Sequence, residues 1–241
     1  MTGSDASNDA KEDTRLYWQV LLPEGPPPAK PPYTTSYPVR LPDGRWLVLP
    51  LRWPPSLGGR HATASLIVNQ ASFAVEEALI SAMAEIAFPL QAEVVIGLPT
   101  LGLGLARGVA KALGHRRYVA LGHSRKFWYR DDLAVPVRSI TSPGDEKKIY
   151  IDSRMVPQIA GRRVLVVDDV ISGGTTAAAA IPFLKRLGAD PVALVVAMRQ
   201  SRRWIPAIAR VGADWPDRVL GVFDTPLLGP AEGGWTPIEE E

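Results

Sequence analysis

Between Val164 and Thr176 the chain reads VLVVDDVISGGTT. Val164 to Val167 are uniformly apolar, so neither side of an extended segment is left for water. That is the pattern of a strand buried on both faces. Two adjacent carboxylates, Asp168 and Asp169, end the apolar run. A turn of small residues follows, Ser172-Gly173-Gly174-Thr175-Thr176, and residues 174–187 read as a helix closed by Gly188. In an open parallel sheet, ligands bind at the carboxyl ends of strands. A turn of this composition lets backbone N–H groups converge on an anion, and the helix N-terminus adds partial positive charge. A phosphate in the turn with two acids just before it points to a phosphorylated sugar. The acids would take its hydroxyls and the waters of a magnesium ion.

Outward from this segment the same alternation continues. Residues 72–87 carry apolar side chains at helical spacing and stop before Pro89. Residues 93–98 are a short apolar strand, 102–113 a helix entered through glycine, and 117–121 a strand. Residues 124–147 are charged and aperiodic and read as one long loop, with 148–152 a strand returning to the body. Residues 191–198 are a second buried strand, 201–211 a short helix and 218–223 a last strand. Continuous apolar strands alternating with helices predict an α/β fold, a central, mostly parallel sheet with helices on both faces. Pro182 inside the 174–187 helix is expected to kink it or limit its first turns.

The flanks differ. Residues 1–14 are polar and acidic and read as a disordered tail. Residues 23–38 are proline-dense and favour extended chain. Residues 37–41 and 45–52 form a hairpin around Pro42-Asp43-Gly44, with Pro50 ending the second strand or holding it at an edge. The division expected is therefore a tail (1–14), a proline-rich extension (15–60), a core (61–200) and a C-terminal extension (201–241).

Composition excludes other classes. The 241 residues hold 27 Lys plus Arg against 25 Asp plus Glu, a net charge of +2, which gives no global signal for nucleic acid or a membrane surface. With no cysteine, thiolate metal sites, disulfides and cysteine nucleophiles are absent. No apolar run reaches the ~18 residues of a membrane span, and the N-terminus lacks a signal-peptide core. A soluble cytoplasmic protein is expected. No G-x-x-x-x-G-K-[ST] run exists, and Gly102-Leu103-Gly104-Leu105-Ala106-Arg107 misses the dinucleotide fingerprint at its third glycine.

The 164–176 segment resembles the phosphoribosyl-pyrophosphate signature of type I phosphoribosyltransferases: apolar residues, two acids, two apolar residues, then a small turn ending in Gly and Thr. The similarity extends over about residues 65–200. It implies a magnesium-dependent enzyme that transfers the 5-phosphoribosyl group from phosphoribosyl pyrophosphate (PRPP) to a nucleobase and releases pyrophosphate. By the same resemblance Asp168 and Asp169 hold the ribose hydroxyls and, through them or water, magnesium. Ser172, Gly173, Gly174, Thr175 and Thr176 cradle the 5′-phosphate. Leu98, Pro99, Thr100, Leu101 and Gly102 stand at the pyrophosphate loop, where adenine-type members continue instead with an acid and an Arg-Gly pair. Arg125 and Lys126 match the Arg-Lys pair near pyrophosphate, and Lys126 joins the acids as a catalytic group. Residues 127–147 match the loop that closes over the site.

Base specificity is read from departures. Ser172 stands where hypoxanthine-guanine enzymes carry an aspartate, which favours an adenine- or xanthine-type purine and leaves orotate open. Val170, Phe127 and Trp128 are the expected base neighbours. A hood built from 16–60, from 199–235 or from both would cover the base, and Trp18, Trp46, Trp53, Trp204, Trp215 and Trp235 are candidates to stack on it. The resemblance also implies a homodimer. The alternative is a non-catalytic regulator that binds PRPP or a nucleotide. No helix-turn-helix pattern precedes the core, which argues against DNA as its partner.

Overall fold

The computed structural model describes residues 16–137 and 147–239. The expected tail at 1–14, and residues 138–146 of the expected loop, lie outside the described residues. The chain opens with four strands: β1 (Leu21–Leu22), β2 (Ser36–Arg40), β3 (Trp46–Arg52) and β4 (Ala62–Ala64). The alternating body follows: α1 (Phe73–Ala87), β5 (Val94–Gly97), α2 (Gly102–Ala112), β6 (Val119–Ala120), β7 (Ala134–Val137) and β8 (Lys147–Tyr150). It continues with α3 (Val156–Ile159), β9 (Arg163–Ile171), α4 (Thr175–Arg186), β10 (Asp190–Gln200), α5 (Ile205–Ala209) and β11 (Val219–Thr225). A hairpin, β12 (Leu227–Ala231) and β13 (Gly234–Pro237), ends the chain.

The body is a five-stranded sheet in the order β11-β10-β9-β5-β6, parallel throughout. Its strands alternate between two cores, as the two-residue period of a strand requires. Leu165 and Val167 of β9 join Val75, Leu79 and Met83 of α1 and Leu105 and Val109 of α2 on one face. Val164 and Val166 join Ile181 and Leu184 of α4 and Ile208 of α5 on the other. Each such Val or Leu, fully buried, contributes roughly 1.5–3 kcal/mol. That is why the apolar run tolerates no polar residue until the strand nears its carboxyl end.

The two chain ends meet in one further sheet of six strands. Its path is β1-β3-β4-β12-β13, with β2 also paired to β3. Tyr33 and Trp235 exchange N–H···O bonds of 2.7 Å in both directions, which ties the proline-dense segment to the C-terminal hairpin.

Several sequence expectations change. β3 runs through Pro50 to Arg52 and is paired on both sides instead of lying at an edge. Pairing with β2 ends at Ser36–Pro50 and pairing with β4 starts at Leu51–Ala64, so the missing N–H falls at the handover. The 124–147 loop contains β7, which pairs antiparallel with β8. The 148–152 strand thus belongs to a separate two-stranded sheet, linked to the body by a Gly122–Tyr150 bridge. Ala134-Val135-Pro136-Val137 is too short and too interrupted to show a period. α4 starts at Thr175 and continues past Pro182 to Arg186, so the proline does not confine the helix to its first turns. The helix expected over 201–211 shrinks to Ile205–Ala209 behind a turn.

Candidate functional site

β9 delivers the two acids to the carboxyl edge of the sheet. Asp168 stands in register with Val196, and the strand runs on to Ile171, paired with Arg199, so the acids lie within the ladder and do not end it. Adjacent strand residues point to opposite faces. The Asp169 N–H nevertheless donates to Asp168 Oδ1 at 3.0 Å, which fixes the first carboxylate. Burial first, and the neighbouring Asp169 charge second, push the Asp168 carboxyl well above the usual carboxylate range; burial also raises Asp169.

The 172–176 turn follows directly. Gly174 caps α4 with a left-handed φ of 74° and no side-chain cap. None of the backbone N–H groups of Ser172 to Thr176 donates a hydrogen bond within the described residues. These are the orphan donors of a helix start, here opened further by the turn. They surround a cavity of about 80 Å³, which Asp168 and Val170 also line. The site has the size and the donors for one phosphate group.

The loop after β5 is the third component. Leu98 is fully buried and its N–H donates to Val167 O at 2.9 Å, so that amide is committed within the sheet. The Pro99–Thr100 peptide is cis. The N–H groups of Thr100 and Leu101 make no hydrogen bond among the described residues. Gly102 begins α2 directly against Asp168: a Cβ there would stand 2.6 Å from Asp168 Oδ1 and 3.1 Å from Val167 O. Sequence reading placed Gly102 in this loop but missed that its lack of a side chain makes room for the acid. A glycine at a helix start beside a two-acid strand is the signal that could have found it.

The 125–128 segment is not joined to these groups by any described hydrogen bond or ion pair. Arg125 pairs with Asp131 at 3.1 Å. Lys126 is exposed and has no ion-pair partner among the described residues. Phe127 is 97% exposed, and Trp128 Nε1 donates to Asp152 Oδ2 at 3.1 Å. Tyr129 stacks on Tyr150 with centroids 5.7 Å apart, which anchors the far end of the segment. Of the six tryptophans considered for stacking, Trp18 and Trp215 are core residues, and Trp46 donates to Gly25 O. Trp53 and Trp235 pair with each other at 6.1 Å. Trp204 packs behind the phosphate turn, its carbonyl oxygen 3.0 Å from where a Gly174 Cβ would be.

The donors suit magnesium. Two hard carboxylates beside a phosphate cradle match an ion that keeps several waters and is shared with substrate phosphates. Among the described residues no group of three acids or histidines converges to cage a metal. No helix of the described residues is long and apolar enough to cross a membrane.

Residues 67–221 match the family described as phosphoribosyl transferase domain. An adenine phosphoribosyltransferase of Frankia alni is 34% identical over 160 residues, which cover 66% of this chain and 78% of that protein. A transcriptional regulator, GfcR 1 of Methanosarcina barkeri, is 34% identical over 106 residues, 44% of this chain; the match spans only 45% of the regulator's length. Among solved structures, an adenine phosphoribosyltransferase of Rhodothermus marinus shares the fold with a TM-score of 0.54 at 20% identity, over 70% of this chain and 97% of that one. With its acid pair, its amide-lined turn and its matched core, the chain belongs to the phosphoribosyltransferase family.

Proposed function

We propose that the protein is a cytoplasmic, homodimeric, magnesium-dependent enzyme that transfers the 5-phosphoribosyl group of PRPP to a purine of adenine or xanthine type. The observation that carries this reading is the junction of Asp168 and Asp169 with the unpaired amides of Ser172 to Thr176 around one phosphate-sized cavity. The bond from ribose C1 to pyrophosphate breaks, a base nitrogen bonds to C1, and the base proton is lost. The transition state is oxocarbenium-like, as in glycoside chemistry. The protein contributes position and charge more than covalent chemistry.

Asp168 and Asp169 accept hydrogen bonds from the ribose hydroxyls, and the turn holds the 5′-phosphate. The amides of Thr100 to Gly102, with Arg125 and Lys126, hold the departing pyrophosphate. Magnesium, when bound, supplies positive charge to that leaving group. Val170 flanks the base, and Phe127 and Trp128 come down on it when the 127–147 segment closes and excludes water. Neither nucleic acid nor membrane is a partner in this reading.

A second reading, a PRPP- or nucleotide-binding regulator, draws on the likeness to the GfcR regulator over 106 residues. Pyrophosphate release separates the two. The protein is incubated with PRPP and magnesium against adenine, xanthine, hypoxanthine, guanine and orotate. Base-dependent release is expected with a 6-amino or 2,6-dioxo purine. Tight PRPP binding with no release for any base would favour the regulator.

A further inference from the structure

The amino edge of the central sheet, opposite the acid pair, carries groups that the transfer reaction does not use. Two turns there share one build. Gly114, with φ 80°, closes α2 and leads into His115-Arg116-Arg117. Gly161, with φ 70°, follows α3 and leads into Arg162-Arg163. In each case the left-handed glycine lets the chain reverse out of a helix into a strand, β6 in the first and β9 in the second. β5 lies between those two strands. The two arginine pairs, far apart in sequence, therefore arrive on either side of Glu93, which stands just before β5.

A cavity of about 170 Å³ opens here, and its polar lining is Arg116, Arg117, Arg162, His115, Gln158 and Glu93. The backbone around it is committed. His115 N–H donates to Ala110 O at 2.9 Å and Gly114 N–H to Lys111 O at 3.1 Å, so two carbonyls of the last turn of α2 are taken. Arg162 N–H donates to Ile159 O at 3.1 Å. Glu93 is engaged too: its N–H donates to Arg163 O at 2.8 Å, and its Oε2 accepts from Arg163 N–H at 2.9 Å.

The arginine side chains of the lining are not committed. Arg116, Arg117 and Arg162 are exposed and make no ion pair or side-chain hydrogen bond among the described residues, and neither do the side chains of His115 and Gln158. By contrast Arg40, Arg45, Arg125, Arg130, Arg199 and Arg218 each rest on a carboxylate. Three guanidiniums thus face one carboxylate that a backbone N–H already holds, in a protein whose net charge is only +2. Cations gathered this way repel one another, and a multivalent anion relieves the repulsion. Guanidiniums bind phosphate oxygens in bidentate pairs. At 170 Å³ against 80 Å³ the cavity is about twice the size of the one at Ser172 to Thr176, room for two linked phosphate groups. No phenyl, phenol or indole lines it, so it reads the anion and not what the anion is attached to.

We propose that this cavity is a second anion site and that it takes the diphosphate or triphosphate group of a small molecule, free or carried on a nucleotide. Arg116 and Arg117 close on it from the β6 side and Arg162 from the β9 side, with His115 and Gln158 donating alongside. Arg163 to Asp168 is five residues of β9, roughly 16 Å of strand, so one diphosphate cannot serve both this site and the acid pair. The inference does not depend on the transferase reading.

The test is histidine-ring NMR of the full chain, titrated with sodium pyrophosphate without magnesium at constant ionic strength. The chain has three histidines, and His115→Gln identifies the His115 signals. His123, two residues before Arg125, reports separately on that segment. The His115 signals are expected to shift saturably, with pyrophosphate binding at least about tenfold tighter than orthophosphate. Arg116→Ala and Arg162→Ala should each weaken binding about tenfold or more and leave thermal melts unchanged, since both side chains are exposed. The Asp168→Asn, Asp169→Asn double variant should bind as wild type does. Tripolyphosphate and ATP distinguish the sources, each result supporting the site: equal affinity identifies the phosphate chain alone, and tighter ATP a nucleotide. His115 signals that pyrophosphate does not move would overturn the inference. So would a shift that sulfate reproduces at equal concentration, or an affinity that both arginine variants leave intact. Tighter binding of single-stranded RNA than of tripolyphosphate through the same arginines would replace it with a nucleic-acid surface.

Discussion

Gly102 and Asp168 are packed so closely that a Cβ on the glycine would stand 2.6 Å from the acid's Oδ1 and 2.7 Å from its Cα. The first turn of α2 is thus the surface against which the first carboxylate rests, and the loop after β5 and the acid pair are one mechanical unit. Gly102→Ala adds a methyl group where none fits. Alanine in a helix normally stabilises by roughly 0.5–1 kcal/mol over glycine. Here overpacking should reverse the sign, with a loss of about 1–3 kcal/mol in urea unfolding. Transfer should fall at least tenfold, about 1.4 kcal/mol, because the acid moves. Gly104→Ala in the same helix is the control. Its Cβ would meet only Glu76 Oε1, at 3.3 Å on a flexible side chain, so it should stabilise.

Gly174 and Gly173 should separate in the same way. Gly174 has φ +74°, and an added Cβ would stand 3.0 Å from Trp204 O, whereas a Cβ on Gly173 meets nothing within 4 Å. A left-handed conformation costs a non-glycine residue about 1–2 kcal/mol. Gly174→Ala should therefore lower stability by at least that amount and weaken PRPP binding. Gly173→Ala should leave stability within ~0.5 kcal/mol. Thermal melts with and without PRPP measure both.

The acid pair makes stability fall with rising pH. Asp168 and Asp169 are raised by burial, so the native state holds their protons more tightly than the unfolded chain does. Their contribution is fully present below the ordinary carboxylate pKa and is lost as pH rises through the native values. Unfolding free energy measured against pH in the absence of ligands should decline over that window. Asp168→Asn should flatten the decline and stabilise the unliganded protein at neutral pH. The same substitution should abolish transfer. A profile that rises through the window would contradict the burial described.

Much of this was legible because burial on two faces forces continuous apolar runs. β5, β9 and β10 announced themselves, and the VLVVDDVISGGTT segment fixed both the strand and the turn that follows. What escaped has physical reasons. β4 and β12 pair with each other across the length of the chain, a non-local contact with no local period. β7 is four residues interrupted by proline. The cavity bordered by Arg116, Gln158 and Arg162 exists only where distant segments meet. Arg116 and Arg162 in sequence are two more surface charges, and nothing marks them as neighbours.

The basic-aromatic segment should affect catalysis without affecting folding. Phe127 is 97% exposed, and Lys126 is exposed with no ion pair among the described residues. Lys126→Ala and Phe127→Ala should each change stability by less than ~0.5 kcal/mol. On the proposed closure, Lys126→Ala should lower kcat about 10²-fold or more, the scale of a lost charge contact to a leaving group. Phe127→Ala should let water compete, which appears as ribose 5-phosphate in place of nucleotide.

The most direct measurement is phosphorus NMR of PRPP turnover with magnesium and adenine, comparing wild type with the Asp168→Asn, Asp169→Asn double variant. The account predicts nucleotide and pyrophosphate appearing in equal amounts with wild type, and neither with a folded double variant. Equal turnover by the double variant, or PRPP left intact by wild type with every purine supplied, would contradict it.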